Sequence, residues 1–458
     1  MNILDYLEWR GDLLFTERPF NEVDNLILSS LAYLELEGII SNDGETKTLP
    51  MILDYYNAAG YDQSDLVNDP RPLLEKIVSA PRFQKLQVGR YVSMTDADVG
   101  IQFAAMTFFL DDGSAYVAFR GTDTSVVGWR EDFNFALMRE TPGQSESVDY
   151  LNYIGENTTG PLIVGGHSKG GNFAVYASLF CSDAVKERIQ TVYSNDGPGF
   201  MESIANSENY RMMISRIQKI IPENSLIGIL LTGYEKKRVI KSSAKGILQH
   251  NPYTWDIRVT QFDPADERSD VSMFMDETLS RWIDSLSTNE KRTLISAIFD
   301  SLEDSGIDTL SAVKEHNLLT FGTIMDVIKN MDPDTSRSAF DSLGKLFSAG
   351  RDVLLKGFKD KFDELGAFLM SFGKKETEED ASADLLQDAE PEAAISESAD
   401  TPQTEVSEEI PVMPETALAV PKAEESLLNE TLPGETDAEP APSVPELPEA
   451  ALPSPAMA

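Results

Sequence analysis

The segment Gly166-His167-Ser168-Lys169-Gly170 carries the clearest chemical signal in the sequence, because it fits the pattern Gly-x-Ser-x-Gly. The apolar run 162–164 before it predicts a short buried strand, and the run 172–180 after it predicts a helix. A sharp strand-to-helix turn requires small flanking residues, which the two glycines supply. The pattern therefore predicts a turn that lifts the Ser168 hydroxyl out of a sheet, where it can act as a nucleophile. The alternative is a glycine-rich turn that binds an anion or nothing.

A serine hydroxyl needs a base, because it is a poor nucleophile at neutral pH. The chain has only three histidines. His167 adjoins the serine but faces another way on the turn, and His316 falls in a helical part of the sequence. His250 follows the last predicted strand, which is where the histidine of a serine, acid, histidine order is expected. We therefore predict His250 as the base, against the alternative of a surface or structural histidine.

Two residues are candidates for the acid that orients the histidine. Asp196 follows the predicted strand 189–193, and Glu223 follows the predicted strand 217–221. Asp196 is favoured, because its strand is expected to lie next to the strand that leads into Ser168. It could instead be a simple turn residue that begins Asp-Gly-Pro-Gly. Glu223 therefore stays the alternative acid.

An oxyanion hole needs two donors beside the nucleophile. The backbone N–H of Lys169 is the first candidate, because it follows Ser168 directly. The second is Thr122 at the end of Phe119-Arg120-Gly121-Thr122, which offers an N–H and a hydroxyl. The same loop could be a plain strand-ending turn with Arg120 in a salt bridge. This chemistry needs no cofactor and no metal, and the single cysteine, Cys181, leaves no cysteine pair for zinc.

The surrounding sequence predicts an α/β fold of the α/β-hydrolase type, with a mostly parallel sheet and flanking helices. Residues 1–60 show helical periodicity, whereas 102–110 and 114–120 form a predicted hairpin around Asp111-Asp112-Gly113. A strand–helix–strand rhythm then continues to the strand 237–242. We assign residues 1–265 to this domain. Within it, residues 133–144 are a candidate lid.

Residues 266–375 are predicted to form a helical segment of amphipathic helices, and residues 376–458 a disordered acidic tail. The tail holds 22 Asp and Glu residues and one basic residue, Lys422. The apolar faces of the helices are expected to pack on the domain before them. The alternative is that they contact a membrane surface or a partner protein.

The net charge of the chain is −39, which argues against nucleic-acid binding. Asp5 and Glu8 interrupt the place where a signal peptide would have an apolar run, and no other run is long enough to cross a bilayer. The lone Cys181 gives no reason to expect an oxidising compartment. We therefore predict a cytoplasmic protein. The sequence does not predict an oligomeric state.

Two motifs resemble those of the class 3, or fungal-type, lipases. The segment Val117-Ala118-Phe119-Arg120-Gly121-Thr122, followed by Trp129-Arg130-Glu131-Asp132, looks like their oxyanion segment. The glycine-rich turn around Ser168 resembles their elbow, although that family usually has an apolar residue where Lys169 stands. Four segments also follow one another in order: Asp5-Tyr6-Leu7-Glu8-Trp9-Arg10-Gly11-Asp12, then the turn 166–171, then Asn195-Asp196-Gly197-Pro198-Gly199-Phe200, then Gly246-Ile247-Leu248-Gln249-His250. This arrangement is similar to that of a bacterial family of unknown function, the Mbeg-like family, over roughly residues 1–330.

The resemblance implies a lipase-like α/β-hydrolase fold and no established substrate. Carried over, it makes Ser168 the nucleophile, Thr122 the oxyanion residue and His250 the base. Class 3 lipases have their acid where this chain has Glu223, whereas other lipases have it where Asp196 stands. The resemblance to class 3 lipases therefore favours Glu223 as the acid, whereas the expected neighbourhood of the strands favours Asp196.

Together these observations predict a serine esterase or lipase-like hydrolase that uses Ser168, His250 and Asp196 on a small-molecule or lipid ester. The lipid-like nature of the substrate is implied only by the resemblance. The competing hypothesis is a catalytically inactive hydrolase scaffold, in which the helical segment and the acidic tail bind or assemble partners.

Overall fold

The computed structural model describes residues 1–40, 44–60 and 69–304, together with residues 336, 337, 341 and 345. His316, most of the predicted helical segment beyond Asp304 and the whole of the predicted tail 376–458 lie outside the described residues.

The described chain is organised around one eight-stranded sheet, in which every strand pairs with the strand before it in the chain. A separate two-stranded ribbon, β9 and β10, follows. The strands are β1 Thr46–Thr48, β2 Gln87–Asp96, β3 Ile101–Phe109, β4 Ala115–Phe119, β5 Leu162–His167, β6 Ile189–Asn195, β7 Ile217–Pro222, β8 Lys237–Ile240, β9 Ile257–Arg258 and β10 Gln261–Phe262.

The sheet changes character at β4. Strands β1 to β4 pair antiparallel, and β4 to β8 pair parallel. The predicted hairpin is present as β3 and β4, and Gly113 in its turn has a φ of +81°, which a residue without a side chain adopts readily. The predicted mostly parallel sheet with flanking helices is confirmed. The edge strand β1 was not predicted, because three residues are too short for a strand pattern to stand out.

Thirteen α-helices lie in the described residues. They are α1 Ile3–Arg10, α2 Glu22–Leu31, α3 Leu49–Ala59, α4 Arg71–Ile77, α5 Pro81–Gln84, α6 Val126–Asn134, α7 Pro142–Glu156, α8 Lys169–Phe180, α9 Asp183–Arg188, α10 Glu202–Ala205, α11 Glu208–Met213, α12 Asp270–Ser285 and α13 Thr288–Asp304. None of the helices within the described ranges is long and apolar enough to cross a membrane.

Alternating side chains of the sheet pack into two hydrophobic cores, one on each face of the sheet. Tyr116 and Ala118 of β4 lie in the core shared with α1 to α4. Val117 and Phe119 of the same strand lie in the core shared with α7 and α8. Because successive side chains of a strand point to opposite faces, this split produces a sheet covered by helices on both sides.

The helices α12 and α13 contact the body of the fold at two described places. The Ser272 hydroxyl at the start of α12 donates to the Ser225 carbonyl oxygen over 2.8 Å. Phe299 of α13 meets Phe133 of α6 edge to face, with ring centroids 5.4 Å apart. These contacts place the beginning of the predicted helical segment against the loop that follows β7 and against α6.

Candidate active site

Ser168 occupies the turn between β5 and α8, with a φ of +58° and a ψ of −131°. This backbone conformation is unfavourable for a residue with a side chain and costs about 1–3 kcal/mol. Two backbone hydrogen bonds hold it. The Ser168 N–H donates to the Asn195 carbonyl oxygen over 2.9 Å, and the Gly171 N–H donates to the Ser168 carbonyl oxygen over 2.9 Å. The serine is therefore fixed in the strained turn that the sequence pattern predicts.

The glycines beside Ser168 allow a close approach of strand and helix. A Cβ at Gly166 would lie 2.2 Å from the Gly170 carbonyl oxygen, and a Cβ at Gly170 would lie 2.1 Å from the Phe119 carbonyl oxygen. Real Cβ atoms do not approach backbone atoms so closely, so the turn accepts no larger residue at either position. This is the steric reason for the small residues on both sides of the serine.

A continuous hydrogen-bond chain runs from Ser168 through His250 to Asp196. The Ser168 Oγ lies 3.0 Å from His250 Nε2, and His250 Nδ1 lies 2.7 Å from Asp196 Oδ2. Because a carboxylate only accepts, Nδ1 carries the imidazole proton and Nε2 presents its lone pair to the serine hydroxyl. The His250 side chain is 22% exposed, so one edge of the ring remains open to solvent.

Asp196 follows β6 directly and is completely buried. Its Oδ1 accepts from the Ser225 hydroxyl over 2.5 Å and from the Gly228 N–H over 3.2 Å, while Oδ2 accepts from His250. Three donors thus compensate the buried carboxylate. Glu223 lies after β7 as predicted, but its Oε1 accepts a long 3.5 Å bond from the Gln249 amide and, among the described residues, no bond from His250. The structure therefore brings Asp196, and not Glu223, to the histidine.

His167 contacts His250, with ring centroids 4.6 Å apart, and its sequence position predicted no role for it. It is fully buried, and burial, followed by the nearby His250, holds its pKa well below the usual value. A neutral ring can donate from only one nitrogen, and the His250 carbonyl oxygen 2.8 Å from Nε2 can only accept. Nε2 therefore donates to it, and Nδ1 accepts from the Tyr33 hydroxyl over 3.1 Å.

The loop that carries Thr122 lies directly against the serine. A Cβ at Gly121 would be 3.1 Å from the Ser168 Cβ and 2.6 Å from the His167 carbonyl oxygen. Thr122 directly follows Gly121, and Lys169, the first residue of α8, directly follows Ser168. The structure brings both predicted oxyanion residues to the Ser168 turn.

Asp132 of α6 holds the Thr122 side chain. The Thr122 hydroxyl donates to Asp132 Oδ2 over 2.5 Å. The other carboxyl oxygen, Oδ1, is shielded from solvent and has no hydrogen-bond partner among the described residues. Burial raises the pKa of Asp132 to about 6, against the opposing effects of the Lys169 charge and the Thr122 hydroxyl. The segment Trp129-Arg130-Glu131-Asp132 was noted in the sequence, but the role of its aspartate was not.

The Lys169 side chain is fully buried, which sequence analysis did not predict. Its Nζ lies 3.2 Å from Glu131 Oε2, and it donates to the carbonyl oxygens of Gln102 over 3.0 Å and Gly128 over 3.4 Å. The sequence held one indication of an unusual role for this residue, since Lys169 stands where lipases usually have an apolar residue. The three contacts satisfy all three hydrogens of the ammonium group.

A buried polar network links α2 to the strands that carry the site. The Asn195 amide donates to the Gly166 carbonyl oxygen over 3.1 Å and to the Ser29 hydroxyl over 3.1 Å, and the Asn25 amide donates to Asn195 Oδ1 over 2.9 Å. Asn195 also pairs with His167 in the β5–β6 register. The network therefore fixes the ends of the two strands that carry Ser168 and Asp196.

No group of three or more histidine, cysteine or acidic side chains suited to a metal ion lies among the residues described. The candidate site consists of Ser168, His250 and the buried carboxylate of Asp196. Beside it, Asp132 binds the Thr122 hydroxyl, and Lys169 forms a buried ion pair with Glu131.

Comparison with known proteins gives one family match, in the central part of the chain. Residues 77–300 match the Mbeg1-like family. The predicted resemblance to that family is confirmed, over a shorter span than the 1–330 expected. The matched residues include Thr122, Asp132, Ser168, Asp196 and His250, whereas Tyr33 lies before them.

Similar solved structures include M37 lipase and the Rhizomucor miehei lipase propeptide complex. The first is 15% identical with a TM-score of 0.29, and the match covers 44% of this chain and 68% of that chain. The second is also 15% identical with a TM-score of 0.29, over 43% of this chain and 68% of that chain. No curated protein matches the sequence.

Proposed function

We propose that this chain is a serine hydrolase of the esterase or lipase-like type. The observation that carries the proposal is the hydrogen-bond chain Ser168–His250–Asp196, with distances of 3.0 Å and 2.7 Å. A buried carboxylate, an imidazole and a hydroxyl in this order allow the imidazole to accept the serine proton. The strained turn at Ser168, which holds the hydroxyl at this position, supports the same reading.

In the proposed acylation step, Ser168 Oγ attacks the carbonyl carbon of an ester while His250 Nε2 takes the hydroxyl proton. Asp196 stabilises the imidazolium that forms. The carbonyl oxygen becomes an oxyanion, for which the backbone N–H groups of Lys169 and Thr122 are the donors. The tetrahedral intermediate then collapses, and the C–O bond to the alcohol breaks as His250 returns the proton to the leaving oxygen.

In the proposed deacylation step, water attacks the acyl-serine carbonyl, with His250 again as the base. Collapse of the second tetrahedral intermediate releases the carboxylic acid and restores the Ser168 hydroxyl. The cycle consumes one ester and one water, and it uses no metal or cofactor. Transfer of the acyl group to an acceptor other than water is a variant of the same chemistry.

The substrate is proposed to carry an apolar acyl group. Leu248, two residues before His250, is 67% exposed, and Phe133, next to Asp132, is 46% exposed. These exposed apolar side chains lie in the segment that carries His250 and in α6, which carries Asp132. They favour an apolar ligand or a lipid surface over a small polar ligand. The resemblance to lipases supports the same substrate class. Peripheral membrane or protein contact through the C-terminal helices, a cytoplasmic location and the absence of nucleic-acid binding remain proposals.

The test is covalent labelling with a fluorophosphonate probe, which reacts with activated serines. We expect the wild type to be labelled and the variants Ser168→Ala and His250→Ala to lose the label. His316→Ala is the matched histidine control and should be labelled like the wild type. Chromogenic p-nitrophenyl esters of increasing acyl length would then define the preferred chain.

Absence of labelling of the wild type, at neutral pH and with detergent present, would overturn the enzyme proposal. The competing hypothesis of an inactive scaffold would then be favoured, with the C-terminal helices and the acidic tail as the parts to test for partners.

A further inference from the structure

The first residue of α8 is tied to α6 by an ion pair that the proposed catalytic cycle does not use. Lys169 and Glu131 are both fully buried, and their charged atoms lie 3.2 Å apart. The backbone N–H of the same lysine is the first proposed oxyanion donor, because it follows Ser168 directly in the chain. Main chain and side chain of one residue thus face two different parts of the site.

Glu131 is fixed independently of the lysine. Its Oε1 accepts from the Gly143 N–H over 2.7 Å, and its Oε2 accepts from the Gln102 N–H over 3.1 Å. These backbone donors belong to the start of α7 and to β3, both of which are parts of the packed body of the fold. The carboxylate is therefore a rigid anchor for the Lys169 ammonium group.

The neighbour of Glu131 holds the other side of the site. Asp132 accepts a hydrogen bond from the Thr122 hydroxyl, while Glu131 accepts one from the Lys169 ammonium group. Two consecutive residues of α6 are thus bonded to Thr122 and Lys169, the two residues that are proposed to supply the oxyanion donors. A change in the position of α6 would move both donors together, and loss of one contact would move one donor relative to the other.

Stability alone does not account for the pair. Replacing a buried ion pair with apolar side chains of similar volume is often neutral or stabilising, because the charges lose their hydration. An apolar pair would not form hydrogen bonds of defined direction. The ammonium group meets three acceptors in a fixed arrangement, and this fixes the first turn of α8.

We propose that the buried Lys169–Glu131 ion pair is a positioning device that sets the distance between the two oxyanion donors, Lys169 N–H and Thr122. This inference rests on the proposed hydrolase function. Lys169 acts in it through its side chain as a positioning residue and through its backbone as a donor.

The test compares Lys169→Met with the double variant Lys169→Met/Glu131→Leu and with a control, Lys219→Met. Lys219 forms a second buried ion pair, with Nζ 3.3 Å from Glu235 Oε1 and side chains only 2% and 4% exposed. It matches the Lys169 pair in type and burial, but it lies on β7 and has no role in the proposed site. Each variant is measured for kcat and KM on p-nitrophenyl butyrate, for inhibition by butylboronic acid, and for urea unfolding.

For Lys169→Met we expect kcat to fall by about 10- to 100-fold, with KM changed by less than about threefold, because only the transition state uses the oxyanion donors. Butylboronic acid forms a tetrahedral adduct with the serine, so its inhibition constant should rise by a similar factor. The double variant should regain stability without regaining kcat. Lys219→Met should lose stability while its folded fraction keeps the wild-type kcat.

Recovery of kcat together with stability in the double variant would overturn the inference, and so would a folded Lys169→Met with wild-type kcat. Failure of both Lys169 variants to fold would also overturn it, because the pair would then serve the fold itself. A wild type without any hydrolysis or labelling would instead overturn the proposed function, and this inference with it.

Discussion

Asp196 and Asp132 both face the Ser168 site with a carboxyl group, and their surroundings differ. Asp196 is completely buried and accepts three hydrogen bonds, from Ser225, Gly228 and His250. Asp132 is partly buried and accepts one, from Thr122, while its second oxygen is shielded without a partner among the described residues. Hydrogen-bond donors stabilise a buried carboxylate, and Asp196 has three of them whereas Asp132 has one.

This difference fits two different proposed tasks. On the acid–base side, Asp196 must stay charged to stabilise an imidazolium. On the oxyanion side, Asp132 has only to orient a hydroxyl, which either form of the carboxyl group can do. Burial raises the pKa of Asp132 to about 6, so its charge changes close to neutral pH.

Removing the charge of Asp196 should have the largest effect. In Asp196→Asn the side-chain amide can donate to His250 Nδ1, which favours the tautomer whose Nε2 cannot accept the serine proton. We expect kcat on a p-nitrophenyl ester to fall by about 10⁴-fold with little change in KM. Glu223→Gln is the matched control and should stay within about twofold of the wild type, since Glu223 does not contact the histidine. A larger loss in Glu223→Gln than in Asp196→Asn would reverse the assignment of the acid.

Asp132→Asn should change the pH dependence of stability. The folded-state pKa of about 6 lies above the ordinary value of 3.8, so the folded protein holds the proton more tightly than the unfolded chain. The contribution of this group to the free energy of unfolding therefore falls as the pH rises from about 4 to about 6. The amide has no such dependence.

We thus expect the stability of Asp132→Asn relative to the wild type to rise by up to about 1.4 kcal/mol between pH 5 and pH 8, one pKa unit corresponding to about 1.36 kcal/mol. Urea unfolding of both proteins at the two pH values measures it. A stability difference that is the same at both pH values would show that the pKa of Asp132 in the folded protein is not raised.

The smallest effect is expected from Tyr33→Phe. This variant tests whether the position of His250 depends on the hydrogen bond from Tyr33 to His167. Loss of the hydrogen bond to His167 should cost about 1 kcal/mol in the free energy of unfolding and lower kcat a few-fold. Tyr56→Phe is the control, because Tyr56 donates to the Glu35 carbonyl oxygen over 2.8 Å away from the site. It should lose similar stability and keep its kcat. Equal kcat in both variants would assign the Tyr33 contact to folding alone.

The parts of the site that could be predicted are those whose signal is local. The elbow at Ser168 is readable because strand, glycines and helix follow one another within twenty residues of chain. His250 was found because the sequence has so few histidines. The preference for Asp196 depended on strand neighbours, and the pairing of His167 with Asn195 places the ends of β5 and β6 side by side.

The parts that could not be predicted depend on the packing of distant segments. Tyr33 and His167 are 134 residues apart, and no periodicity relates them. The bond from Thr122 to Asp132 spans only ten residues but crosses a turn whose geometry the sequence does not specify. For Lys169, the residue type was unusual, but only the burial of its side chain reveals the ion pair with Glu131.

The order of the strands has a consequence for synthesis. Because each strand of the eight-stranded sheet pairs with its predecessor, a chain leaving the ribosome can extend the sheet at one edge as each strand emerges. The site does not share this order, since the Ser168 turn emerges more than eighty residues before His250. A nascent chain can therefore form the serine turn well before its proposed base exists, and the proposed nucleophile has no base until the chain has been made as far as His250.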